Sequence, residues 1–233
     1  MKEQIYTIPI NEAFDKYQDC PLCEMYNNAV TRAVEYITGS AMMEPDIRRE
    51  TNKKGFCYEH YQKLLSVRNR LSLGLTVETH LIDVDKICFE DVKTPFLQKY
   101  DAEKVAKTFE EMTESCFVCD QVEYYMEKYY QNIIYLWKNE PEFQKKYKEQ
   151  KYFCFPHLAK LIAASRKTLN KKTEMPEFIN QTLDVTRNCL SAVSTDVSKF
   201  TKSFDHRYND IKMTDDIRKS IERAIFILSG RKM

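Results

Sequence analysis

Gly55-Phe-Cys-Tyr-Glu-His-Tyr-Gln-Lys-Leu-Leu65 and Tyr152-Phe-Cys-Phe-Pro-His-Leu-Ala-Lys-Leu-Ile162 are two copies of one segment. Each carries Cys-x-x-His and runs on into apolar residues at helical spacing. Upstream of each stands a Cys-x-x-Cys: Cys20-Pro-Leu-Cys23, with 33 residues between it and Cys57, and Cys116-Phe-Val-Cys119, with 34 residues between it and Cys154. Each CxxC also leads into a helical stretch rich in aromatic residues, from Tyr26 to Ile37 and from Val122 to Trp137. The chain is thus internally duplicated. Its unit is a CxxC knuckle, a helix, a connection, and a CxxH that opens another helix.

Three thiolates and one imidazole complete a tetrahedral shell for zinc. A turn of helix holds 3.6 residues, so the Cys and His of CxxH can face one ion. Reading each repeat as self-contained gives two structural Cys3His zinc sites, two ions per chain. The first takes Cys20, Cys23, Cys57 and His60, the second Cys116, Cys119, Cys154 and His157. A closed four-ligand shell leaves no position for a reactive water, which argues against metal-assisted hydrolysis. Cys20-Pro-Leu-Cys23 also has the outline of a thiol–disulfide redox site, but the βαβ context of such sites is missing. Cys88 and Cys189 fall outside the pattern and read as small buried apolar side chains.

The rest of the 233-residue chain sets the frame. Gly is scarce, with 4 residues, and no series of alternating strands is present, so the fold class is all-α. Tyr61, Leu64, Leu71, Leu75 and Ile82 form one helical stripe. Ile217, Ile221, Ala224, Ile225 and Leu228 form another behind an N-cap at Thr214. A long helix is expected over about 176–201. The expected division is 1–100 for the first zinc-binding repeat, 101–172 for the second, and 173–233 for a C-terminal helical segment packed on both. Net charge is +1, which gives no general attraction to nucleic acid or anionic lipid. No apolar run is long enough for a membrane span, and the N-terminus shows no signal peptide; the expected location is the cytoplasm, where thiols stay reduced.

Three polar groupings are candidates for chemistry. Met42 to Asn52 gathers carboxylates, guanidinia and an amide ahead of a metal knuckle. With Glu44, Arg48 and His80 it is a candidate ligand pocket; the competing reading is an ion-paired connection that braces the first zinc site. Glu78-Thr-His80 and Asp205-His206-Arg207 each hint at acid–base work, but neither has a nucleophile at a recognisable spacing. Tyr124, Tyr125, Tyr129, Tyr130, Tyr135 and Trp137 are read as a core with a tyrosine-lined face rather than a base-stacking surface.

Ile8-Pro-Ile-Asn-Glu-Ala-Phe14, Cys20-Pro-Leu-Cys23, Met42-Met-Glu-Pro-Asp-Ile-Arg48, Thr51-Asn-Lys-Lys-Gly-Phe-Cys57 with His60, and Phe204-Asp-His-Arg-Tyr208 occur in one order. Together they resemble a bacterial family of uncharacterised zinc-binding proteins, a domain of unknown function, from about residue 6 to 230. The resemblance implies a cytosolic, zinc-binding protein of anaerobic and Gram-positive bacteria with no activity attached. Some members carry a transporter substrate-binding label, which fits poorly with a chain lacking a secretion signal or lipid-attachment site. The second knuckle lacks the proline of the first, and no catalytic residue carries over. The expected role is a non-enzymatic binding or adaptor protein with protein partners. The alternatives are a thiol-based redox or zinc-responsive sensor, and an enzyme built on Glu44, Arg48 and His80.

Overall fold

In the computed structural model, which describes residues 4–16, 18–90, 92 and 101–230, every regular element is helical and no strand occurs among the described residues. In chain order the α-helices are α1 (Gln4–Phe14), α2 (Pro21–Thr38), α3 (Pro45–Lys54), α4 (Tyr58–Ser66), α5 (Arg70–Asp85) and α6 (Ala102–Glu114). Then come α7 (Phe117–Asn139), α8 (Pro141–Lys148), α9 (Phe155–Thr168), α10 (Glu174–Lys202), α11 (Asp215–Arg218) and α12 (Ser220–Ser229). Proline opens several of them, at the first position of α2, α3 and α8, where a missing N–H costs nothing. No helix among the described residues is long and apolar enough to cross a membrane.

The chain packs into two compact units. One is Met1–Asn27 with Tyr125–Met233; the other is Asn28–Tyr124. This division differs from the expected one at 100 and 172: the second unit lies, in sequence, inside the first. The expected boundary at residue 100 falls outside the described residues. Helices α2 and α7 each begin in one unit and end in the other.

The first unit is held by an aromatic core. Phe14, Phe143, Tyr147, Phe153 and Phe178 are fully buried. Ring centroids of Tyr147 and Phe153 lie 4.9 Å apart, those of Phe14 and Phe143 5.0 Å, and those of Trp137 and Phe178 5.1 Å. Such pairs contribute about 0.5–1.5 kcal/mol each beyond burial. Most polar atoms this core encloses have partners; Gln150 Oε1 and Ser220 Oγ are buried in the same unit without one. The Tyr147 hydroxyl meets Thr182 Oγ1 at 2.6 Å, and burial pushes its ionisation far above the ordinary range. The Trp137 indole N–H donates to Gln181 at 2.9 Å. Thr186 of α10 accepts from the Phe153 N–H at 3.2 Å and donates to the Phe153 carbonyl at 3.1 Å. One hydroxyl therefore fixes the backbone directly ahead of Cys154.

In the second unit, α5 is tied to the end of α2 and to α3. Asn69 caps α5 by accepting from the Ser72 N–H, and its own amide donates to the Thr38 carbonyl at 2.8 Å. This cap corrects the first apolar stripe. Tyr61 to Ile82 does not run down one helix; the chain breaks between α4 and α5, so Leu64 is buried while Leu71 and Ile82 are exposed. The second stripe is also corrected. Thr214 does cap a helix, accepting from the Ile217 N–H, but that helix ends at Lys219 and α12 starts on a rotated face. Ile217 and Ile227 are buried, whereas Ile221, Ile225 and Leu228 are exposed.

Thr186→Val keeps the shape of the side chain and removes both of its hydrogen bonds to Phe153. The orphaned backbone groups should cost about 1–3 kcal/mol, read as a melting temperature lower by several degrees in a thermal scan.

Candidate metal centres

All four Cys/His motifs use one local geometry. Cys57 and Cys154 are the N-caps of α4 and α9, with extended backbone, and His60 and His157 sit three residues on. The carbonyls of Cys57 and Cys154 accept the first helical bonds, from Tyr61 and Leu158. Cys20 and Cys116 immediately precede α2 and α7, and Cys23 and Cys119 again lie three residues on. The Cys23 N–H donates to the Cys20 carbonyl at 3.0 Å, and the Asp120 N–H to the Cys116 carbonyl at 3.1 Å. A cap and its third helical residue share one side of the first turn, as they do in a capping box. Each motif thus aims two ligand atoms off a helix N-terminus.

These half-sites pair across the repeats. Cys20 and Cys23 meet Cys154 and His157 in the first unit; Cys57 and His60 meet Cys116 and Cys119 in the second. In each group the four ligand atoms lie within 4.8 Å of one another. The expectation that each repeat closes its own site is therefore corrected: all eight residues fall into four-ligand clusters, but each CxxC joins the CxxH of the other repeat.

Distances within the clusters suit a tetrahedron. In the first unit, His157 Nδ1 lies 3.1 Å from Cys154 Sγ, 3.4 Å from Cys23 Sγ and 3.8 Å from Cys20 Sγ, and the sulfurs of Cys23 and Cys154 are 3.5 Å apart. In the second, His60 Nδ1 lies 3.1 Å from Cys57 Sγ, 3.3 Å from Cys116 Sγ and 3.4 Å from Cys119 Sγ, and Cys57 and Cys119 are 3.9 Å apart. Metal–sulfur bonds of about 2.3 Å give tetrahedral edges of roughly 3.5–3.8 Å. These sulfurs are too far apart for disulfides, and all eight cysteines are free thiols.

The electrostatics call for a cation. Burial, then the neighbouring sulfurs, raise the Cys20 thiol well above its ordinary value. Cys20 pulls Cys154 down through a hydrogen bond, but the bond with Cys23 and burial outweigh it and push Cys154 up to about 12. Burial and the charges of Cys116 and Cys57 likewise raise Cys119. Crowded thiols do not ionise together on their own. A bound cation would supply the missing charge, and the positive ends of two helix dipoles would face the resulting thiolates.

The two clusters differ in cover. All four residues of the first are buried; in the second, Cys57 is half-buried and Cys119 exposed. Gly230 helps to close the first. Its φ is +78°, and a Cβ there would lie 3.3 Å from Cys154 Sγ and 3.7 Å from Cys23 Sγ. Tyr26 and Tyr130 flank the His157 ring, with centroids 6.2 and 6.5 Å away. Neither Gly230 nor this pair carried a sequence signal beyond aromatic spacing.

Glu44, Arg48 and His80 each have partners inside the second unit. Arg48 Nη2 donates to the Leu75 carbonyl and to Thr79 Oγ1, both at 3.1 Å, joining α3 to α5. His80 Nδ1 donates to the Asn52 carbonyl at 2.5 Å, and its ring lies against Gly55, whose φ of +57° turns the chain toward Cys57. The Gly55 carbonyl in turn accepts from the Phe117 N–H at 3.0 Å, next to Cys116. Glu44 accepts from the Tyr36 hydroxyl at 3.1 Å. These bonds fix the α3–Gly55 connection that delivers Cys57. Asp205 caps a short 3₁₀ turn and holds Arg207 at 2.6 Å, beside an exposed His206. Tyr129, Tyr130 and Trp137 are buried, and Tyr124, Tyr125 and Tyr135 line the outside of α7. Cys88 is buried and Cys189 half-buried, each in a different unit.

Arg48→Ala should lower stability by about 1–3 kcal/mol, a few degrees in melting temperature, because it strips part-buried acceptors of a charged donor. Circular dichroism melts of the metal-loaded protein check this.

Residues 1–233 match the sequence profile of a family described as a family of unknown function (DUF6062). No curated protein and no solved structure matches the chain.

Proposed function

The chain belongs to this family of unknown function, and we propose that it is a zinc-stapled helical binding protein of the bacterial cytoplasm, an adaptor for protein partners. The observation that carries the reading is where the polar and apolar side chains lie. The Cys/His sets form complete four-ligand groups, and Arg48 and His80 hold backbone carbonyls. The outward side of α12 carries three exposed apolar side chains, Ile221, Ile225 and Leu228, beside exposed Glu222 and Ser229. Contiguous exposed apolar side chains mark contact surfaces. Zinc fits the donor set better than harder cations, because three thiolates and an imidazole suit a borderline-soft ion with tetrahedral preference. Bound there, it supplies structure rather than Lewis acidity, since three thiolates leave the centre with net negative charge.

Elemental analysis of purified protein should give about two zinc ions per chain. The crossed pairing makes a sharper expectation. Cys20→Ser with His157→Ala should lose one ion, as should Cys57→Ser with Cys119→Ser; Cys20→Ser with Cys57→Ser should lose both. Loss of only one ion in that last variant would restore self-contained repeats. No metal at all, with the motif thiols freely titrating, would end the zinc reading. A pull-down from the native cell on the same metal-loaded preparation should retain protein partners, and release them when a chelator unfolds the scaffold.

The exposure of Cys119 favours a second reading, in which the centre of the second unit responds to oxidant. Peroxide would take two electrons from the Cys57 and Cys119 thiolates, forming one disulfide, releasing the metal and leaving water. Low peroxide should then empty this centre before the buried one, with recovery on reduction. Equal, slow loss from both centres would leave the adaptor reading alone.

A further inference from the structure

Helix α5 presents an exposed apolar face in the second unit. Ser72, Leu73 and Thr76 point inward and are buried, while Leu71, Leu81 and Ile82 on the other side are 69%, 59% and 64% exposed. Between them Leu71, Leu75, Val77 and Leu81 wall an open groove of about 650 Å³ with Gly74 in its floor. Glycine within a helix costs stability relative to alanine. At Gly74 the fold does not require it, because an added Cβ would meet nothing within 4 Å. The missing Cβ leaves a notch in the floor of the groove.

The charges on this face specify the occupant. Arg70 stands at the N-terminal end, Glu78 in the middle and Asp85 at the C-terminal end, about two turns apart. Among the described residues none of their side chains has a hydrogen bond or ion pair. A second copy of the chain is the competing occupant: antiparallel pairing of α5 with itself sets Glu78 beside Glu78 at the centre of the contact while bringing Arg70 to Asp85 at its ends, and sedimentation decides between the two. An anionic membrane is a poor fit because Glu78 and Asp85 would face lipid phosphates.

We propose that α5 is the docking site for an amphipathic helix of another protein, with leucine-type side chains seated at the Gly74 notch and Lys or Arg set seven residues apart against Glu78 and Asp85. Recognition of this kind lays an apolar helix face into a groove and reads charges at its margin. The proposal rests on the adaptor reading and names the partner's chemistry at one surface.

The test uses the full, zinc-loaded chain and two labelled four-turn helical peptides, read by fluorescence anisotropy. Both carry leucines at helical spacing; one has lysines at the two charged positions and the other has glutamates. The lysine peptide should bind about tenfold tighter than the glutamate peptide, as expected for charge pairs at a contact margin. Glu78→Lys should reverse that order. Leu81→Asp should abolish binding without lowering the melting temperature. Gly74→Ala should raise the melting temperature yet weaken binding, opposite signs that a purely structural glycine would not give. Absent or equal binding of the two peptides overturns the proposal. So does a dimer in sedimentation that Leu81→Asp dissociates, or Leu81-dependent co-sedimentation with phosphatidylserine vesicles. If two zinc ions and the captured partners persist while the peptides fail, only the α5 assignment falls; if metal and partners are absent, the adaptor reading falls with it.

Discussion

Each of the two Cys/His clusters needs two helix N-termini to arrive at one point, and everything else in the fold follows from arranging that meeting. A cap cysteine and a ligand three residues later are rigidly related by the first turn, so a half-site is set locally. What the tertiary structure must supply is the approach of a second half-site to within hydrogen-bond-like distances. Thr186 at Phe153, Gly230 against Cys154, and the Arg48–His80–Gly55 connection before Cys57 all act on the segments that make this approach.

The crossing of the halves follows the division of the chain into units. Helix α2 has 18 residues and α7 has 23, so they run about 27 and 35 Å. A chain that leaves Cys20 along α2 is carried out of the first unit before it reaches Cys57, and α7 carries it back after Cys119. The CxxH that follows α2 in sequence, after α3, belongs to the second unit's cluster, and the one that follows α7, after α8, belongs to the first unit's. Two equal repeats thus build two units, neither of which is one repeat.

The ligand residues and the helical class were legible because both are local: CxxC and CxxH are short, and 3.6-residue periodicity shows within a few turns. The Thr214 cap was legible for the same reason, and the long helix near 176–201 is observed as Glu174–Lys202. The partners of the half-sites were not, since both pairings satisfy the same spacings and the choice between them is made by tertiary contacts. The apolar stripes misled at Asn69 and Lys219, where a break of one to three residues rotates the following helix and turns expected core residues such as Leu71 and Ile225 outward. Arg48 and His80 were ambiguous in sequence because a side chain that donates to a ligand and one that donates to a carbonyl look alike until the carbonyl is placed.

The crossed pairing is also nested, and nesting imposes an order in time. The inner cluster joins residues 57 to 119 and the outer one residues 20 to 157. Doubling the span adds only about 0.6 kcal/mol of closure entropy, so the two differ little at equilibrium. On the ribosome they differ greatly. The inner ligands are all present once Cys119 has emerged, whereas Cys20 and Cys23 wait with an open pair of thiols until His157 follows, and their cover waits further for Gly230. The first thiols made are the last to gain their full set of neighbours, and the more exposed cluster has its full set of residues earlier.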